Sequence, residues 1–67
     1  MEIKPLVVVA LLEDIPTRGL VRGQVGTIVE RLAPGVFEVE FSDNEGRTYA
    51  TSAVSPDKLL VLRHEAA

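Results

Sequence analysis

The sequence predicts an all-β fold: one small, strongly bent barrel of five strands with a short helical turn before the last. Three observations carry this. Beta-branched and aromatic residues gather in short runs, glycine and proline punctuate the runs, and no stretch repeats apolar residues at helical spacing. The chain has 67 residues, 46% of them hydrophobic, with a net charge of −3. That is too apolar and too weakly charged for a disordered chain. At this length the expectation is a single domain over residues 1–67, with a modest core that must be well organised.

The first strand is expected in Leu6–Leu12, where Val7, Val8 and Val9 favour extended backbone. Residues 13–23 hold a proline, two glycines and several polar groups, which predicts a long irregular loop with Ile15, Leu20 and Val21 folded back on the core. Gln24–Leu32 reads as the second strand, with Gly26 marking a bulge or sharp bend where the barrel curls. Ala33-Pro34-Gly35-Val36 predicts a type II turn, since proline fixes φ at the second position and glycine allows positive φ at the third.

In the third strand Phe37, Val39 and Phe41 alternate with Glu38 and Glu40, so one face is buried and the other is a wet outer wall. Asp43-Asn44-Glu45-Gly46 suits a type I turn closing through a glycine bulge. Pairing Asp43 with Arg47 places Phe41 opposite Tyr49 and Val39 opposite Thr51, which brings the aromatics together in the core. The fourth strand then covers Arg47–Ala53. Ser55-Pro56-Asp57-Lys58 predicts the helical turn, capped by Ser55, and Leu59–Leu62 the final strand. Residues 64–67 read as a frayed tail. Five strands, a long loop after the first and a helical turn before the last describe an SH3-like barrel, whose closure would leave no edge exposed.

Arg22–Glu30 is similar to the glycine-centred strand of KOW-type SH3-like domains, found in ribosomal and transcription-elongation proteins. A second resemblance spans more of the chain. Leu11–Pro16, Arg22–Glu30, Val36–Asp43 and Gly46–Ala50, in that order and spacing, together resemble a family of small bacterial proteins labelled domain of unknown function 4926. That resemblance implies a small bacterial protein, SH3-like in fold, with no established activity.

Chemistry is sparse. There is no cysteine, hence no disulfide, thiolate metal site or Cys nucleophile. The single histidine, His64, lies in the tail without a nucleophile or orienting partner. Glu38 and Glu40 point from one strand face into water, and Glu13-Asp14 has no facing partner, so no carboxylate pair has the geometry of acid–base catalysis. Asp43, Asn44 and Glu45 imitate part of a calcium loop but lack its alternate ligand spacing, and turn formation accounts for them. The expectation is therefore a non-enzymatic protein with no catalytic residue, no metal and no cofactor.

Four basic and four acidic residues lie in 1–34, whereas 35–67 hold three basic and six acidic, so the whole net charge sits in the second half. A nucleic-acid surface needs a basic stripe with aromatic platforms, so nucleic acid is unexpected, and a KOW-like nucleic-acid or ribosome-associated barrel is the alternative. The leading expectation is a protein-interaction module or accessory partner protein. Its contact surface would be Arg18, Leu20, Val21, Arg22 and Gln24 on the first loop, where arginines can grip a carboxylate bidentately. The competing expectation is that Arg18 and Arg22 simply pair with Glu13, Asp14 or Glu30. The apolar first strand also suggests a homodimer through that strand as the alternative to a monomer. Leu6–Leu12 is too short to span a membrane, and no export signal is evident, which predicts a cytoplasmic protein without membrane attachment.

Overall fold

Beta-branched and aromatic residues set out the strands of a computed structural model that describes residues 7–62. These are β1 (Val8–Leu11), β2 (Val25–Ala33), β3 (Val36–Ser42), β4 (Thr48–Val54) and β5 (Leu59–Val61). Two single 3-10 turns, Pro16–Arg18 and Pro56–Lys58, are the helical elements among the described residues. The expected frayed tail, with His64, lies outside those residues.

All five strands are antiparallel neighbours in one sheet of order β4-β3-β2-β1-β5. The sheet curls around its core without closing: among the described residues, β4 and β5 each have one unpaired edge. Closure is thus looser than the sequence suggests, because β5 is only three residues long and its ladder is spent on β1. β1 is an interior strand, paired with β2 and β5. Both of its edges are taken by these neighbours.

The register places one row of core residues across all five strands: Val61, Val9, Gly26, Phe41 and Ala50. Leu11 opposite Leu59, and Ile28 opposite Val39, extend this core on either side. Gly26 is regularly paired on both sides, so the expected bulge is not there. The glycine is required for space. A Cβ would lie 2.8 Å from Val39 Cγ1, 2.9 Å from the Glu40 carbonyl oxygen and 2.9 Å from Phe41 Cδ1. The irregularities of β2 come later, where Val29 and Leu32 are each extra against β3. Such insertions bend and twist a strand, so β2 curls near its far end.

Pro34-Gly35 joins β2 to β3. Gly35 has φ +78°, and proline excludes positive φ before it, as a type II turn requires. Asp43 organises the next hairpin. Its carbonyl accepts from Gly46 N–H at 3.0 Å, and its Oδ1 from the amides of Glu45 and Arg47 at 2.9 and 3.0 Å. The expected contact of Asp43 with Arg47 is present, as Asp43 N–H donates to the Arg47 carbonyl at 2.9 Å. Beyond it the register departs from expectation. Ser42 pairs with Thr48 but Phe41 pairs with Ala50, so Tyr49 is an extra residue. Ala50, Ser52 and Val54 therefore face inward, and Tyr49 and Thr51 face outward. Tyr49 is 49% exposed, not a core aromatic.

The turn at Pro56–Lys58 begins with proline, but the Ser55 side chain does not cap it. The Asp57 carboxyl at this turn is held below its ordinary pKa, chiefly by the neighbouring Ser55 hydroxyl. A depressed folded value means the contact supports the fold above the unfolded pKa and is lost as pH falls through the folded one. Ser55→Ala should shift the Asp57 titration upward in an NMR pH series; an unmoved titration would refute this contact. Gly26→Ala is expected to destabilise by about 1–3 kcal/mol, because a backbone oxygen stands in the way. This corresponds to a melting-point fall of roughly 4–8 °C per kcal/mol, and an unchanged melting point would contradict the crowding.

Candidate functional site

The segment between β1 and β2 has many polar and glycine residues, yet it is tied down at nearly every turn. Ile15 and Leu20 exchange backbone bonds of 2.8 and 3.1 Å, making a minimal antiparallel bridge. Pro16 opens the 3-10 turn between them. Gly19 closes it with φ +67°, a conformation that a side chain disfavours, and donates to the Pro16 carbonyl at 3.1 Å. Ile15 packs against the core and Leu20 is inserted in it, 1% exposed.

Leu20 is therefore an anchor and offers no area to a partner, which corrects its place among the contact residues. Val21 is the reverse case. Expected on the core, it is 56% exposed. The reason is local: Leu20 takes the inward position, and Val21-Arg22-Gly23-Gln24 then forms a tight turn in which Gln24 N–H donates to the Val21 carbonyl at 3.1 Å. This turn is sealed to β1 by Gly23 N–H to the Leu11 carbonyl at 2.8 Å and Leu11 N–H to the Gln24 carbonyl at 3.0 Å.

Side chains complete the framework. Gln24 Oε1 accepts from Val21 N–H at 2.6 Å, and its Nε2 donates to the Tyr49 hydroxyl at 3.0 Å. The half-buried glutamine thus joins the first loop to the bulge in β4. Asp14 Oδ1 accepts from the Arg22 backbone N–H at 2.8 Å.

The charges are distributed unevenly. Glu13 pairs with Lys58 at 3.5 Å, and Arg47 with Asp43 and Glu45 at 3.4 and 3.2 Å. Among the described residues, the guanidinium groups of Arg18 and Arg22 make no ion pair. The pairing expected for them with Glu13, Asp14 or Glu30 does not form, because Glu13 is taken by Lys58 and Asp14 serves the Arg22 backbone instead.

Of the expected site residues, Val21 and Gln24 are thus joined directly, Arg22 stands at the same turn, Arg18 lies on the neighbouring 3-10 turn, and Leu20 supports them from below. Tyr49 is the addition that sequence reasoning missed. Its one visible signal is Val54, whose burial fixes the inward parity as Ala50, Ser52 and Val54. The surface combines an exposed aliphatic group, a phenol and cations on a fixed backbone, and a guanidinium group can hold a carboxylate through two parallel hydrogen bonds. No group of three His, Cys, Asp or Glu that could hold a metal occurs among the described residues. No helix among them is long and apolar enough to cross a membrane.

Gln24→Ala should free the Val21 N–H and speed its hydrogen exchange about fivefold, the equivalent of roughly 1 kcal/mol of local opening. Tyr49→Phe should affect that amide less; equal effects would mean that the Gln24 carbonyl oxygen does not hold the turn.

A family model described as a domain of unknown function, DUF4926, matches residues 6–61. No curated protein and no solved structure matches the chain.

Proposed function

The chain belongs to the DUF4926 family, and from that premise we propose that it is a non-enzymatic protein-interaction module, bacterial and cytoplasmic, that binds an acidic segment of another protein. The observation that carries this reading is that Arg18 and Arg22, which like Arg31 make no ion pair among the described residues, stand together on a loop whose backbone is fixed by hydrogen bonds. A rigid loop loses little conformational entropy on binding, so more of the contact energy appears as affinity. Val21 and Tyr49 supply exposed apolar area beside the cations. The strand order, the irregular first loop and the 3-10 turn before β5 agree with the SH3-like architecture expected of such a module.

Tyr49 also supports a second reading. An exposed aromatic near two arginines is the minimum of a stacking platform for single-stranded nucleic acid. The carboxylates of Asp43 and Glu45 on the adjoining hairpin, and the net charge of −3, oppose it. Protein recognition is favoured on that balance.

Affinity capture from the host with wild type, Arg18→Ala/Arg22→Ala and Arg31→Ala separates the two. The double variant should lose the protein partner by about 2 kcal/mol, close to thirtyfold in Kd, while Arg31→Ala retains it. Equal capture by all three would reject the site. Retention of RNA or DNA on a filter at low salt, falling steeply as salt rises, would establish the second reading instead.

A further inference from the structure

Alternation in β1 sends Val9 and Leu11 into the core and leaves Val8 and Ala10 on the opposite face of the sheet. The ladder carries that outer face onto both neighbours. Leu60 of β5 lies opposite Ala10 on one side and Val25 of β2 on the other. Leu60 and Val25 are 51% and 48% exposed, and Leu12 extends the apolar row past the end of β1. Ala10 between two larger side chains leaves a short furrow across β1, with Val8 and Leu12 at either end. Its walls stand two strand spacings apart, about 10 Å, the width over which an α-helix packs on a sheet.

The next strands change the character of this face. Thr27, opposite Val8, is paired with Glu40, and Glu30 lies directly opposite Glu38. None of these three carboxylates makes an ion pair among the described residues; Glu40 accepts only the Thr48 hydroxyl, at 2.8 Å. Like charges directly opposite on neighbouring strands destabilise the pair. Lys58, the cation next to the furrow in the register, is committed to Glu13. The outer face of the sheet is therefore apolar over β5, β1 and the start of β2, and carries beyond them an acidic border without an ion pair among the described residues.

We propose that this outer face docks a cationic amphipathic helix of a partner protein, its apolar stripe laid along β1 and its lysines or arginines over Glu30, Glu38 and Glu40. Charge decides among the possible occupants. A second copy of this acidic chain brings another acidic border, and an anionic lipid surface is repelled, whereas a basic helix removes the Glu30–Glu38 repulsion as it binds. The surface uses neither Arg18 nor Arg22, so it stands or falls separately from the loop site.

Two synthetic helices of about 14 residues test this, with leucine on one stripe and either lysine or glutamate elsewhere, each titrated into isotope-labelled protein and followed by NMR. The lysine peptide should move amides in 8–12, 25–27, 38–40 and 60–61, and the glutamate peptide should not. Leu60→Thr/Val25→Thr keeps strand-forming residues at exposed positions and should weaken the lysine peptide about tenfold. Glu30→Gln/Glu38→Gln removes a repulsion and so should fold at least as well, yet should also weaken binding. Arg18→Ala/Arg22→Ala should bind as wild type does. Shifts on another face, equal binding of both peptides, or undiminished binding by both double variants would overturn the proposal. So would a dimer in sedimentation equilibrium that Leu60→Thr/Val25→Thr abolishes, because the furrow's occupant would then be a second copy.

Discussion

The close approach at Gly26 is the constraint on which the rest of the sheet depends. The glycine is the middle member of the row that runs Val61, Val9, Gly26, Phe41, Ala50 through all five strands. β5 and β1 lie on one side of it, β3 and β4 on the other, and β2 is the only strand that joins them. Phe41 and Val39 settle into the space a side chain would occupy. Both are fully buried, as is Val9 across the ladder. Interiors are packed to crystal-like density, so this missing side chain is filled by the aromatic ring of the neighbouring strand.

From that core follows the order of the first loop. Leu20 reaches the same cluster as Leu11 and Phe41, which pins the far end of an otherwise polar segment. The Ile15–Leu20 bridge and the Gln24 side chain then satisfy backbone groups that a loop would otherwise leave to water. Polar side chains have been used for structure where they serve the backbone, as with Asp14, Gln24 and Asp43. Arg18 and Arg22, whose side chains serve no backbone group, are exposed and make no ion pair among the described residues. Residues that hold the loop are thus separate from residues displayed on it.

Much of the fold was legible because local rules coincide with tertiary ones. The Phe37, Val39, Phe41 alternation, the Pro34-Gly35 turn and the Asp43–Gly46 turn each have a mechanism acting within a few residues, and all three appear in the structure. The errors arise where two local rules compete. A register with Phe41 opposite Tyr49 would cluster the aromatics, but the inward parity of β4 is set at its other end by Val54 opposite Phe37. The bulge reconciles that parity with the tight turn, at the expense of Tyr49. Gly26 was recognised as special for the wrong reason, since space and curvature leave the same residue in a sequence. At the candidate site, Arg18, Arg22 and Gln24 could be read from composition and position. The opposite placements of Leu20 and Val21 were not legible, because two adjacent aliphatic residues in an irregular loop carry no periodicity to tell them apart.

The extra residue at Tyr49 also bears on how an open sheet survives in a crowded solution. An unpaired strand edge is a template on which another chain can grow an intermolecular sheet. β4 is one such edge, and its ladder to β3 is broken at Tyr49, where the extra residue twists the strand out of line. The other edge, β5, runs for only three residues before its pairing ends. One border is thus interrupted and the other abbreviated, so a sheet whose margins are both unpaired among the described residues offers little straight backbone from which fibrillar growth can start.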